Sequence, residues 1–449
     1  MSTKSRPAVL SGPTRRDLLL AGTAAAASTL IARPALAAMG GGSGVTMNLP
    51  GANDLVPANM PSGFSQSEME RRWKKCREWM RKADFDALIV PARPEGNADI
   101  KWLTENDADW VVFPQSGNPT AIFRTEHDAA EMRAATKMDI DILNNRYNRS
   151  KLVIDSLKKA GVSRGHIGVA DLSGVLRDDE GGVSYTAMKN IKDALPGARF
   201  DTAAELIMNV KLARGPEEIQ ALKLASRVSE LGLKTLAENS RIGAENWELW
   251  FETFKSLLGG SGEVPGDLSI RSGGEANTSN GLPLREKFED GQIMNQEISA
   301  AVLGYNSQVN QSMCIGTPPK EWDTAFRYTV EVFDALLDWA KPGRSFKDYV
   351  EFYKKKMDDW VKAHGGKPYY NSVVFHTAGP LGDGPRMGWG RTRENDDRII
   401  EAGMVFTVKP RIPIPGVKTP NAQVGDAVLI TDKGAERLGV RKLETITLA

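Results

Sequence analysis

Few side chains in this sequence can move a proton near neutral pH. Only four of its 449 residues are histidine. One of them, His376, ends the apolar run of NSVVFHTAGP, and imidazole titrates close enough to neutrality to make it the best general acid or base on offer. His127, His166 and His364 fall at a helix start, before a strand and at a helix end, and read as structural. Close behind His376, the loop GPRMGWGRTREND sets Arg386, Arg391 and Arg393 around Trp389. Arginines beside a tryptophan suit an anionic or planar substrate. The blander reading, a surface loop whose arginines pair with Glu394, Asp396 and Asp397, stands equally well. Cys76 and Cys314 lack zinc-ligand spacing and read as buried free thiols. A net charge of +1 and an aromatic share of 7% leave neither a basic stripe for nucleic acid nor an acidic tail.

Such residues need strands to hold them. MVFTV and DAVLIT are short, β-branched, apolar runs closed by Pro410 and Gly434, and they read as adjacent strands. The stretch from Gly291 to Gly316 alternates in the same way and reads as a hairpin of that sheet. Upstream, DALIVP, DWVVFP, TAIFR and HIGVAD are strands separated by helical stretches, the pattern of an α/β domain. Between Ser65 and Ala83 the spacing of Met69, Trp73, Cys76 and Met80 predicts a helix, with Ser65 or Ser67 as its cap. Pro216, followed by two glutamates at the positive end of the dipole, opens a long helix to about Asn239. Three more helices are predicted over 247–258, 324–340 and 345–364. The first 37 residues lie outside the expected fold. Thr14-Arg15-Arg16-Asp17-Leu18-Leu19 is a twin-arginine pattern, the apolar run from Leu18 to Ile31 is shorter than the roughly 20 residues that span a bilayer, and Ala35-Leu36-Ala37 offers a small-residue cleavage site. These features predict export of a folded protein to a bacterial periplasm. The expected organisation is a signal peptide (1–37), a linker (38–63), an N-terminal domain (64–205) and a C-terminal domain (206–449).

In LGY-S (Leu303 to Ser307), the lone His376, GMVFTVKP, DAVLITDKG and a terminal RLG, the sequence resembles the creatinase / aminopeptidase P / prolidase family. The resemblance runs from about Phe64 to Gly439. It implies an α/β N-terminal domain of the creatinase type, then an α+β pita-bread C-terminal domain with a curved, mostly antiparallel sheet. It also implies a homodimer and a small-molecule substrate, with no nucleic acid and no membrane insertion. In the family's metallopeptidases two aspartates, one histidine and two glutamates hold two divalent ions that share a hydroxide nucleophile. Carried over one position at a time, the first aspartate is here Glu297 and the second is Gln308. The histidine is His376, and the two glutamates are Lys409 and Gly425. The family's proton-shuttle histidine falls on Asn280 and its second active-site histidine on Asp383. The creatinase pattern, which works without metal, does not transfer either, because its glutamates fall on Asn310 and Lys409. By the same resemblance, Trp102, Asp107, Asp109 and Trp110 lie in a substrate-facing loop.

A lysine ammonium has no lone pair for a dication and repels it, so no dinuclear metal site and no cofactor is expected. His376, Lys409, Glu297 and Asp383 are the expected catalytic groups. Asn280, Gln308, Asn310, Trp389, Arg391 and Asp426 are the expected substrate contacts. Lys409 is expected to stand where the metal charge stood, paired with Glu297 and Asp426, either as an active group or as half of a structural pair. Three functions follow: a metal-independent hydrolase of C–N bonds or lyase on a small polar molecule, a non-catalytic binding protein, or a metallopeptidase with one ion at Glu297, His376 and Asp426.

Overall fold

A computed structural model describes residues 56–449, apart from 58, 94–96, 174–180, 273–282, 367, 369–372, 381–385, 389–397 and 418–420. All belong to one compact unit. Asn280, Asp383, Trp389 and Arg391 lie outside the described residues.

The first sheet has six strands: β1 (Ala87–Pro91), β2 (Trp110–Pro114), β3 (Thr120–Phe123), β4 (Asp141–Asn144), β5 (His166–Val169) and β6 (Arg199–Thr202). Their order is β4-β3-β2-β1-β5-β6, with parallel and antiparallel ladders mixed. The central β1 and β2 are buried along their whole length, which is why they read as unbroken apolar runs. The helix Gln66–Lys82 packs on this sheet through Trp73, Cys76 and Met80, and Ser65 caps it by accepting from the Glu68 amide. Both cysteines are free and buried.

Among the described residues, the second sheet has twelve strands. They are β7 (Asp267–Ser272), β8 (Ile293–Val302), β9 (Tyr305–Gln311), β10 (Met313–Ile315), β11 (Val373–Thr377), β12 (Gly379–Pro380), β13 (Arg386–Gly388), β14 (Val405–Val408), β15 (Arg411–Ile412), β16 (Ala422–Thr431), β17 (Gly434–Arg437) and β18 (Thr447–Leu448). The spine runs β13-β11-β14-β16-β9-β8-β10-β18, and β7 is paired to β8. Every described ladder in it is antiparallel except β10–β18. The β8–β9 hairpin turns through Leu303 and Gly304, both at positive φ (51° and 73°). Such a turn matches the twist of the strands it joins.

Helices Pro216–Asn239, Asn246–Ser261, Trp322–Trp339 and Phe346–His364 cover this sheet close to where the sequence puts them. One helix terminus ties the two sheets together. Glu218, fully buried at the start of Pro216–Asn239, accepts from the Tyr305 hydroxyl (2.5 Å), the Trp102 indole (3.2 Å), Arg71 (2.6 Å) and the Gly215 amide (2.6 Å). Trp102 is therefore a packing residue in the helix Ala98–Thr104, and its expected place in a substrate-facing loop is corrected by its 1% exposure and its bond to Glu218. No helix among the described residues is long and apolar enough to cross a membrane.

Candidate active site

Strand alternation decides which side chains meet. In antiparallel pairs, residues directly opposite share a face, and so do residues two apart along one strand. His376 of β11 is opposite Thr407 of β14, and Lys409 lies two residues beyond Thr407. Gly425 of β16 is opposite Asn310 of β9, and Gln308 of β9 is opposite Ser299 of β8, two residues from Glu297. On β7, Asp267 is opposite Ser299 and Ser269 is opposite Glu297, so Asp267, Ser269 and Arg271 join the same face.

At the centre is the Lys409 ammonium, whose residue is 5% exposed. It donates to Glu297 Oε1 and to Gln308 Oε1, both at 2.9 Å. Arg411 Nη2 donates to the same Glu297 oxygen at 2.8 Å. His376 Nε2 is 3.0 Å from Gln308 Oε1. Since that oxygen already accepts from Lys409, the imidazole is the donor of this contact. Its Nδ1 lies 3.1 Å from the Thr377 carbonyl. The sheet thus assembles four of the expected site residues, Glu297, Gln308, His376 and Lys409.

Burial alone would raise the Glu297 carboxyl, but the charges of Lys409, Arg411 and Arg271 hold it well below the usual carboxylate range. Burial lowers the Lys409 ammonium, and Glu297 only partly restores it. Asp267, hydrogen-bonded to Glu297, moves the other way. Burial, and then the Glu297 charge beside it, push its carboxyl up to about 7. Two neighbouring carboxyls with affinities driven apart make an acid–base pair usable at neutral pH.

Asn310 lies on the site face, whereas Asp426 is placed differently from expectation. Asn310 is fully buried, and its amide nitrogen donates to the Gln296 carbonyl at 2.5 Å. A Cβ at Gly425 would sit 2.5 Å from Asn310 Oδ1 and 2.8 Å from Lys409 Cβ. Lysine and asparagine have filled the space in which the family's last glutamate would stand. Asp426 follows Gly425 and so projects from the opposite face. There Arg441 Nη1 donates to it at 2.7 Å, with Glu230 also bonded to Arg441 and Arg437 nearby. Burial and the Glu230 charge push Asp426 up to about 6 despite Arg441. The expected Lys409–Asp426 pair and a metal site at Glu297, His376 and Asp426 are therefore corrected, because one residue of offset along a strand reverses the face. Among the described residues, no three His, Cys, Asp or Glu side chains are grouped to hold a metal ion.

Residues 72–212 match the Creatinase/Prolidase N-terminal domain and residues 220–432 match Metallopeptidase family M24. The chain belongs to the creatinase/prolidase family. An Xaa-Pro dipeptidase of Pyrococcus horikoshii is 22% identical over 379 residues, 84% of this chain and 99% of the relative. A creatinase of Bacillus sp. is 21% identical over 394 residues, covering 84% and 91%. An ectoine hydrolase of Halomonas elongata is 26% identical over 417 residues, covering 86% and 98%. The solved Xaa-Pro dipeptidase of Bacillus anthracis superposes with a TM-score of 0.70 at 18% identity, over 85% of this chain and all of the other, a likeness of fold. Within this family fold, Arg411, Asp267 and Arg271 are the site-face residues that sequence reading passed over. The signal for the β7 pair is the alternation in DLSIRS, which puts an acid and a base on the same side. For Arg411 it is the two-residue step from Lys409.

Proposed function

We propose that this creatinase/prolidase-family chain is a metal-independent hydrolase that cleaves a C–N bond in a small polar molecule. One observation carries the reading: the Lys409 ammonium sits between Glu297 and Gln308, on the positions that supply oxygen ligands in the family's metallopeptidases. A pair of divalent ions does not fit these residues. An ion needs oxygen or nitrogen lone pairs at about 2.0–2.2 Å, whereas here a buried cation lies 2.9 Å from two of the oxygens and Gly425 contributes no donor.

The chemistry follows from the cluster. Lys409 and Arg411 polarise the carbonyl of the substrate and hold the oxyanion that develops when water adds, the task that dications perform elsewhere. Asp267, near half-ionised at neutral pH, takes the proton of the attacking water. His376 Nε2 delivers a proton to the departing nitrogen. The relatives named above act, by their names, on Xaa-Pro dipeptides, creatine and ectoine, which supports a C–N bond in a small polar molecule as the target. A panel of small amides, ureas, cyclic amidines and Xaa-Pro dipeptides, incubated with chelator-treated protein and read by amine release, tests this. Turnover that His376→Ala abolishes supports it. Turnover restored only by added metal contradicts it.

We further infer export to the periplasm by the twin-arginine route, on the strength of Arg15-Arg16 and the Ala35-Leu36-Ala37 site, and a homodimer on the strength of the family resemblance alone. Fractionation of cells carrying Arg15→Lys with Arg16→Lys should find the protein retained in the cytoplasm, and sedimentation of the mature chain reads its assembly.

A further inference from the structure

The candidate site is built across a seam in the second sheet. His376 lies on β11 and Lys409 just after β14, whereas Gln308 lies on β9 and Glu297 on β8. Among the described residues, the ladders that join these two groups of strands are short. β9 meets β16 at two residue pairs, Gln311–Val424 and Asn310–Gly425, and meets β12 at two more, Asn306–Gly379 and Tyr305–Pro380. Gln308 lies between those ladders, and both His376 and Lys409 reach it. A ladder of two pairs frays easily by itself. Yet three bonds of the site cross this seam, His376–Gln308 at 3.0 Å and Lys409–Gln308 and Lys409–Glu297 at 2.9 Å.

A fully buried arginine closes the seam from behind. Arg441 lies beside Asp426, on the face of β16 opposite the site. Its Nη2 donates to the carbonyls of Asn310 at 2.9 Å and Gly425 at 2.8 Å, the two members of one seam pair. Its Nε donates to Gln311 Oε1 at 2.8 Å, and its Nη1 to Asp426 Oδ2 at 2.7 Å and Glu230 Oε1 at 3.3 Å. All five guanidinium donors are used, and four of the bonds fall on β9 or β16. The arginine is itself fixed by the helix Pro216–Asn239, where Glu230 Oε1 accepts from the amides of Val440 at 2.8 Å and Arg441 at 2.9 Å. Gly439 allows that approach, since a Cβ there would sit 2.5 Å and 2.6 Å from the Asp426 oxygens.

We propose that Arg441 is a positioning residue, which sets the spacing of β9 and β16 and so brings His376 and Lys409 to Gln308 on the other face. The proposal rests on the reading of that face as the active site. A planar fork with donors at fixed angles holds two strands at one distance, and a lysine ammonium on a flexible stem does not. Pairing with Asp426 and Glu230 engages Nη1 alone. The bonds of Nη2 go only to the backbone of the seam, so charge balance does not account for them.

The test follows the ring signals of the four histidines by NMR, in the full chain with isotope-labelled histidine. Arg441→Lys keeps a charge beside Asp426 and Glu230 and loses the fork. It should move the His376 signal while those of His127, His166 and His364 stay in place. Gln311→Met, which removes the Nε acceptor and no charge, should move the His376 signal in the same direction by less. With a C–N substrate in hand, Arg441→Lys should lower kcat by about a hundredfold and leave KM within about twofold. An arginine that serves stability alone would lower the thermal midpoint and leave the His376 signal of the folded chain unmoved. That result would overturn the clamp, and if Arg441→Lys does not fold, Gln311→Met decides by the same signal. The signal needs no turnover. A shifted His376 in a chain whose wild type turns over no C–N compound would sink the hydrolase reading and leave the clamp standing.

Discussion

On the proposed reading, Lys409 is where the chemistry of this chain parts from that of metal-dependent relatives. Replacing it with methionine keeps the length of the stem and removes the charge. We expect Lys409→Met to lower kcat/KM by about a hundred- to a thousandfold, the usual loss for one oxyanion donor, over and above a loss of stability of up to about 3–5 kcal/mol from breaking a buried pair, which chemical denaturation reads separately. A loss of folding with no separate kinetic effect would make the Lys409–Glu297 pair purely structural. Asp267 gives a second prediction at this scale. Its carboxyl is raised to about 7 in the folded chain against about 3.9 unfolded, so the native state binds the extra proton between those values. Its contribution to stability is full below about pH 4 and is lost as pH rises through about 7. Asp426, raised to about 6, acts in the same sense. Asp267→Asn should therefore flatten the fall in thermal midpoint between about pH 4 and pH 7, and an unchanged profile would refute the carboxyl pair. His376, Glu297, Gln308 and Lys409 were legible through the family resemblance, whose phrases keep their order in the sequence, and the sheet brings the four together. Asp267 and Arg271 were not, since nothing local says that β7 pairs with β8 in a register that brings them to Glu297. Asp426 was misplaced for a simpler reason: its neighbour Gly425 owns the site face.

Single elements show how much of the positioning is done by buried charge. The helix Pro216–Asn239 begins with proline at its first position and Glu218 closing on the Gly215 amide, as its sequence suggests. What the sequence did not reveal is that Glu218 also gathers Arg71 and Trp102 from two helices and Tyr305 from a strand of the second sheet. These partners are distant in sequence, and only the tertiary fold brings them together. Glu218→Gln leaves the shape and removes the charge opposite Arg71 and Arg72. Breaking a buried pair from one side costs about 3–5 kcal/mol, to be read by urea denaturation. A loss below about 1 kcal/mol would mean that the network is solvated in solution. Helix ends were legible to within a few residues where a cap or a proline marks them, as at Ser65 and Pro216.

Within the whole molecule, the second sheet holds one charged face, on which the proposed function has an ammonium and a guanidinium take the place of metal ions. The fold class was readable from the alternation of strands and helices and from the family phrases. The gathering of Lys409, Arg411 and Arg271 beside Glu297 was not, because they come from the end of β14, from β15 and from β7. The account depends on that face working without a metal. The most direct measurement is elemental analysis of the purified, mature chain, paired with turnover of its C–N substrate before and after exhaustive chelation. We predict metal well below stoichiometric and a rate unchanged by chelator. Stoichiometric manganese, zinc, cobalt or iron, with activity lost on stripping and regained on reloading, would contradict it.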